Sequence, residues 1–78
     1  MKLSPVQYAI FKSKGLRPLA RVLKVSPASI VKWKKKGLFP SLRQKEISKK
    51  IKLTSDQILK GEKVSKKEIL KTVPWLIK

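Results

Sequence analysis

The arrangement of caps, stops and apolar residues in this 78-residue chain predicts an all-α fold, a compact bundle of five to six short helices. Three observations carry that expectation. Helix-start signatures recur: Ser4 before Pro5, Ser26 before Pro27, and Thr54 and Ser65 each with Gln or Glu three residues on. Gly15, Gly37 and Gly61 fall where short helices would stop. Between these marks the apolar residues recur at i, i+3 and i+4 instead of alternating, which is the period of a helix face.

Taken in order, the first helix starts at Ser4-Pro5, carries Val6, Tyr8, Ala9, Ile10 and Phe11, and ends at Gly15. The second runs from about Pro18 to Leu23, with Leu19, Ala20 and Leu23 facing inward and Lys24 and Val25 forming a turn. Ser26 caps a third helix, 27–36, whose Ile30 and Trp33 are the buried anchors. Lys34 to Lys36 sit at its C-terminal end, where the helix dipole favours cations, and Gly37 stops it. Leu38 and Phe39 are expected to staple the next turn. Pro40 opens a fourth helix with Leu42, Ile47 and Ile51 as its inward stripe. Thr54 and Gln57 start a fifth, 55–59, and Ser65 and Glu68 a sixth, 66–71, before Pro74 breaks the chain and leaves Trp75, Leu76 and Ile77 as an apolar tail. Residues 1–62 thus form the main domain. Residues 63–78 form a C-terminal short helix and tail, joined to it through a flexible-looking Gly-Glu-Lys.

Composition narrows the chemistry. The formal charge is +17, and residues 1–45 hold twelve Lys or Arg with no Asp or Glu. Such a segment repels itself unless a polyanion is near, which points to nucleic acid. A membrane surface fits less well, because interfacial helices present one wide apolar face, while these apolar residues are spaced as core positions of several capped helices. There is no run of eighteen apolar residues and no signal-peptide core at the N-terminus. His and Cys are absent, which removes imidazole bases, thiolate nucleophiles, disulfides and nearly all zinc chemistry. The four carboxylates, Glu46, Asp56, Glu62 and Glu68, are dispersed. The chain is therefore read as no enzyme, with no cofactor, no metal and no small-molecule substrate.

The ordered set of Ala20, a turn at Lys24, apolar Val25, Ser26 as cap, Ile30 and Trp33 resembles the helix-turn-helix of the Cro and phage-repressor superfamily. Ala20 suits it because steeply crossing helices need a small residue at their closest approach. Pro40 to Lys52 followed by LTSDQILKG is similar to that superfamily's fourth and fifth helices, so the resemblance covers roughly residues 15–61. One departure is plain: the family usually has Gly where this chain has Lys24, and a Lys with positive φ costs about 1 kcal/mol.

The resemblance implies a lambda-repressor-like DNA-binding domain that inserts helix 27–36 in the major groove of double-stranded DNA. With Ile30 and Trp33 turned inward, Pro27, Ala28, Ser29, Val31 and Lys32 become the base-reading positions. Ala28 and Val31 offer methyl groups suited to the thymine methyl, and Lys32 can donate to guanine O6 and N7. No Asn, Gln or Arg is present there for bidentate contacts, so readout leans on methyl contacts and DNA shape. Arg17, Ser26, Lys35, Lys36, Ser41 and Arg43 are the expected phosphate contacts. The superfamily mostly pairs two copies on a palindrome, and Trp75, Leu76 and Ile77 are the candidate dimer contact. A cytoplasmic Cro-like repressor, in a bacterial cell or phage-infected host, is the implied role; the phage origin rests on the resemblance alone. A non-specific DNA- or RNA-binding basic protein, or the DNA-binding antitoxin of a toxin pair, are the alternatives.

Overall fold

A computed structural model describes the backbone of residues 1–77 and the side chains of residues 1–76. The fold is all-α. Its helices are α1 (Pro5–Lys12), α2 (Leu16–Leu23), α3 (Pro27–Lys36), α4 (Ser41–Lys50), α5 (Ser55–Lys60) and α6 (Lys66–Thr72), followed by a 3₁₀ turn, Pro74–Ile77. Two short strands, β1 (Lys2–Leu3) and β2 (Glu62–Lys63), pair antiparallel with Lys2 opposite Lys63 and Leu3 opposite Glu62.

A side-chain cap sets three of the six helix starts, those of α1, α3 and α5. At α1 the Ser4 Oγ accepts from Gln7 N at 3.2 Å while Gln7 Oε1 accepts from Ser4 N at 3.0 Å, so two otherwise orphaned donors are satisfied. Thr54 and Gln57 repeat this box at α5, at 3.2 and 3.0 Å. The box expected from Ser65 and Glu68 does not form: Ser65 is the N-cap residue of α6, but its side chain caps nothing. Helix α2 begins two residues before the expected start, with Gly15 as N-cap. Pro18 then lies inside the first turn, where a missing N–H has no intrahelical partner to lose.

Two apolar expectations fail on geometry. In α4 the buried Ile47 and Ile51 define the inward face, continued by half-buried Gln44 and Ser48. Gln44 Nε2 donates to Phe39 O at 3.1 Å and Ser48 Oγ to Leu53 O at 2.6 Å. Leu42, five residues before Ile47, is turned about 140° round the helix from it and is 98% exposed. Leu38 is exposed too, so Phe39 alone closes the turn, with its ring 5.6 Å from that of Trp33 in an edge-to-face contact.

The C-terminal segment belongs to the same core as the rest. Val64, Ile69, Val73 and Leu76 are buried in one cluster with Leu3, Ile10, Leu19 and Ile30. The Gly-Glu-Lys stretch is no free connection, since Glu62 and Lys63 form β2. Beyond that pair, Met1 O accepts from Val64 N at 2.8 Å and the Met1 amino group donates to Val64 O at 2.9 Å. Gly61 makes this approach possible: its φ is +83°, and a Cβ there would run into the Leu3 carbonyl oxygen. Gln57 braces the same corner, donating to Glu62 Oε2 at 3.2 Å and to the Tyr8 hydroxyl at 3.4 Å. The bond from Gln57, the Lys63 N–H and the nearby Lys2 charge hold the Glu62 carboxyl below its ordinary pKa. Leu76 therefore has no free side chain to offer a second subunit, while Trp75 is 44% exposed. The side chain of Ile77, the third expected dimer contact, lies outside the described residues.

Candidate nucleic-acid interface

Helices α2 and α3 pack on each other through a three-residue turn, Lys24 to Ser26. Lys24 adopts the left-handed conformation, φ 56° and ψ 42°, and its N–H reaches Ala20 O and Arg21 O as the C-cap of α2. The backbone thus takes the glycine-like turn with a lysine in it. Ser26 Oγ caps α3, accepting from Ser29 N at 3.3 Å, and its oxygen also lies 3.1 Å from Ser29 Oγ. Ala20 and Ile30 are buried, while Trp33, expected as a second buried anchor, is half-buried against the core. Gly37 ends α3 in the left-handed region.

With Ile30 inward, the solvent side of α3 carries Ala28, Val31, Lys32 and Lys35, all exposed. These lie at i, i+3, i+4 and i+7 and so share one face. Pro27 is also exposed at the helix start, and Ser29 is half-buried beside Ser26. The hydroxyl pairing of Ser26 with Ser29 has no signature in the sequence; it occupies part of the hydrogen-bonding capacity of two predicted contact residues. Lys32 is then the one long donor among the five predicted reading positions.

The predicted phosphate residues Arg17, Ser26, Lys35, Lys36, Ser41 and Arg43 are all exposed. Arg21, to which the sequence patterns assign no role, and Lys24, read only as a turn residue, are exposed as well. They follow Arg17 at i+4 and i+7, so one side of α2 and its C-cap is a row of three cations, a signal present in the spacing. No side chain caps α2 or α4. Of their first-turn N–H groups, that of Arg43 is taken by Pro40 O at 2.9 Å and Pro18 has none, which leaves those of Leu16, Arg17, Ser41 and Leu42 without a side-chain cap. Among the described residues the sole ion pair is Lys50 with Glu46, at 3.1 Å, so none of these cations is neutralised by a carboxylate.

Between the end of α3 and the start of α4 lies a cleft of about 270 Å³ walled by Trp33, Lys36, Leu38, Phe39, Pro40 and Ser41. A second, of about 290 Å³, lies among Lys12, Ser13, Val22, Lys50, Ile51 and Lys52, part of its rim fixed by a 2.9 Å bond from Lys12 Nζ to Lys52 O. It contains none of the predicted contact residues. Among the described residues there is no cluster of acidic, His or Cys side chains able to hold a metal ion. Among the same residues, no helix is long and apolar enough to cross a membrane. Comparison with protein-family models, with curated proteins and with solved structures finds no match for this chain.

Proposed function

We propose that this chain is a double-stranded DNA-binding transcriptional regulator of the Cro type, a repressor that acts as a homodimer with α3 in the major groove. One observation carries the reading. The exposed face of α3 is free of carboxylates, and exposed Arg17 and Arg43 stand in the first turns of the helices that precede and follow it in the chain, neither of which has a side-chain cap. A short capped helix with apolar methyls and one central lysine outward, and unpaired cations on both sides, suits a groove bordered by phosphates. In this arrangement Ala28 and Val31 meet thymine methyls, Lys32 meets guanine, and Arg17, Lys35, Lys36, Ser41 and Arg43 hold the backbone. No step of this function calls for a cofactor, a metal or catalysis.

A second reading has an observation of its own. With Ser29 engaged by Ser26 and no amide or guanidinium on the reading face, base discrimination is thin, which favours a basic protein that binds DNA or RNA without regard to sequence. Site selection from random duplexes at physiological salt separates the two. A specific regulator enriches a two-fold symmetric site that competes against random DNA and against RNA. Equal affinity and equal salt dependence on all three would establish the non-specific reading, and absence of binding would overturn both.

A further inference from the structure

One recess has no part in the proposed contact with DNA: the cleft of about 290 Å³ among the C-terminal ends of α1 and α4 and the side of α2. Its apolar walls are Ile51, which is buried, and Val22, which is 45% exposed. On α2, Val22 is turned about 100° from Arg21 and about 140° from Arg17, so the cleft opens away from that row of cations. The other walls are Lys12, Ser13, Lys50 and Lys52. Two of these three lysines are already answered within the chain. Lys12 Nζ donates to Lys52 O at 2.9 Å and Lys50 Nζ lies 3.1 Å from Glu46 Oε1, and both stand in the last turns of their helices, where the dipole favours a cation. Lys52 is different. It lies past the end of α4, is exposed, and forms no ion pair among the described residues. Its φ of 54° is one that glycine takes without the clash of a Cβ. Backbone strain and an unmatched charge thus coincide at one wall of an apolar recess.

We propose that this cleft docks an acidic, amphipathic segment of a partner protein, an apolar side chain of which enters between Val22 and Ile51 while a neighbouring carboxylate meets Lys52 and Lys12. Charge and apolar surface together select this occupant. A nucleic-acid backbone brings the charge but no apolar group to cover Val22 and Ile51. A second copy of this chain brings a formal charge of +17 and is repelled. A membrane surface calls for one wide apolar face, and this recess has two apolar walls. Glutamate or aspartate beside leucine or phenylalanine supplies both chemistries within a few residues. The inference does not depend on the DNA-binding reading, since none of the residues assigned to DNA lines the cleft.

The test uses the full chain at physiological salt and two short fluorescent peptides, one with a leucine pair set between glutamates and one with serines in place of the leucines. The leucine peptide should bind about 10-fold or more tightly than the serine peptide, the effect of burying a leucine side chain. Amide chemical shifts of the isotope-labelled protein should move most around Val22, Ile51 and Lys52. Val22→Ser, at an exposed position and checked for native circular dichroism, should bring the two peptides to equal affinity while leaving the affinity for a random-sequence duplex unchanged. Lys52→Gln should weaken both peptides, and so should Lys52→Gly, whose backbone is relieved; together they separate loss of the charge from loss of the fold. Equal affinity of the wild type for the two peptides, shifts centred on another surface, or a preference that survives Val22→Ser would each overturn the proposal. So would failure of either peptide to bind at all. A fall in duplex affinity in Val22→Ser as large as its loss of the leucine peptide would make the cleft a nucleic-acid surface and overturn it as well.

Discussion

The Nζ of Lys34 lies 5.4 Å from the centroid of the Trp75 ring. This interaction joins the last turn of α3 to the 3₁₀ turn that follows α6, two segments far apart in sequence. Leu76, the next residue, is buried in the core, which fixes Trp75 beside Lys34, one turn on from the buried Ile30 on the same side of α3. The C-terminal turn acts as a brace on the helix proposed to read DNA.

A double-mutant cycle on this pair should therefore show coupling. Trp75→Ala and Lys34→Ala are each expected to lower unfolding free energy, and their interaction energy should be about 0.5–1 kcal/mol, the range for a partly exposed cation over an aromatic face. Denaturant melts of the four proteins measure it; strict additivity would mean that the two groups merely lie near one another.

Ile30 and Leu42 make a matched contrast. Ile30→Ala removes a fully buried side chain and should cost about 2–5 kcal/mol. Leu42→Ala removes one that is almost wholly in water and should change stability by no more than about 0.5 kcal/mol. Thermal unfolding of both variants checks the placement of α3 and of the α4 stripe at once.

The left-handed lysine in the turn offers a gain. Lys24→Gly should stabilise the fold by about 0.5–1 kcal/mol, because glycine takes φ 56° without the clash that a Cβ creates. A less stable variant would show that the lysine side chain contributes more than its backbone costs.

On DNA, Lys32→Ala should weaken binding by roughly 1–3 kcal/mol and relax preference at one position of each half-site, read as a change in the selected logo. Arg17→Ala and Arg43→Ala should instead weaken all duplexes alike. Each should flatten the dependence of log affinity on log salt by about one unit for every phosphate the arginine had neutralised. A full salt slope in either variant removes that arginine from the phosphate footprint.

Glu62 gives a pH dependence of defined sign. Its carboxyl is held below the ordinary value of 4.5 by the Gln57 amide first, then by the Lys63 N–H and the Lys2 charge. A lowered folded-state pKa contributes stability that is complete above the unfolded value and is lost as pH falls through the folded one. From about pH 4.5 downward the wild type should thus lose stability that Glu62→Gln never had, and chemical melts of the two should converge.

What the sequence determined by itself was everything that short-range chemistry decides. Ser4 before Pro5, Thr54 with Gln57, and Ser26 before Pro27 specify helix starts because the cap side chain fills an orphan donor three residues on. Ile30, Ile47 and Ile51 declare their faces through the helical period, and the absence of Asp and Glu from residues 1–45 is written in the sequence itself. Ser65 resembles Thr54 locally yet makes no cap, so even a good signature yields to its surroundings. Only the tertiary structure decided what depends on distant partners. Strands of two residues have no alternation to detect, and β1 and β2 exist because Gly61 lets the chain approach Leu3 and Val64 bonds back to Met1. Leu42 and Leu76 have the same kind of side chain; one is solvent-exposed and the other core, because burial follows from where a helix face or a terminal turn meets the rest of the fold, which no local window contains.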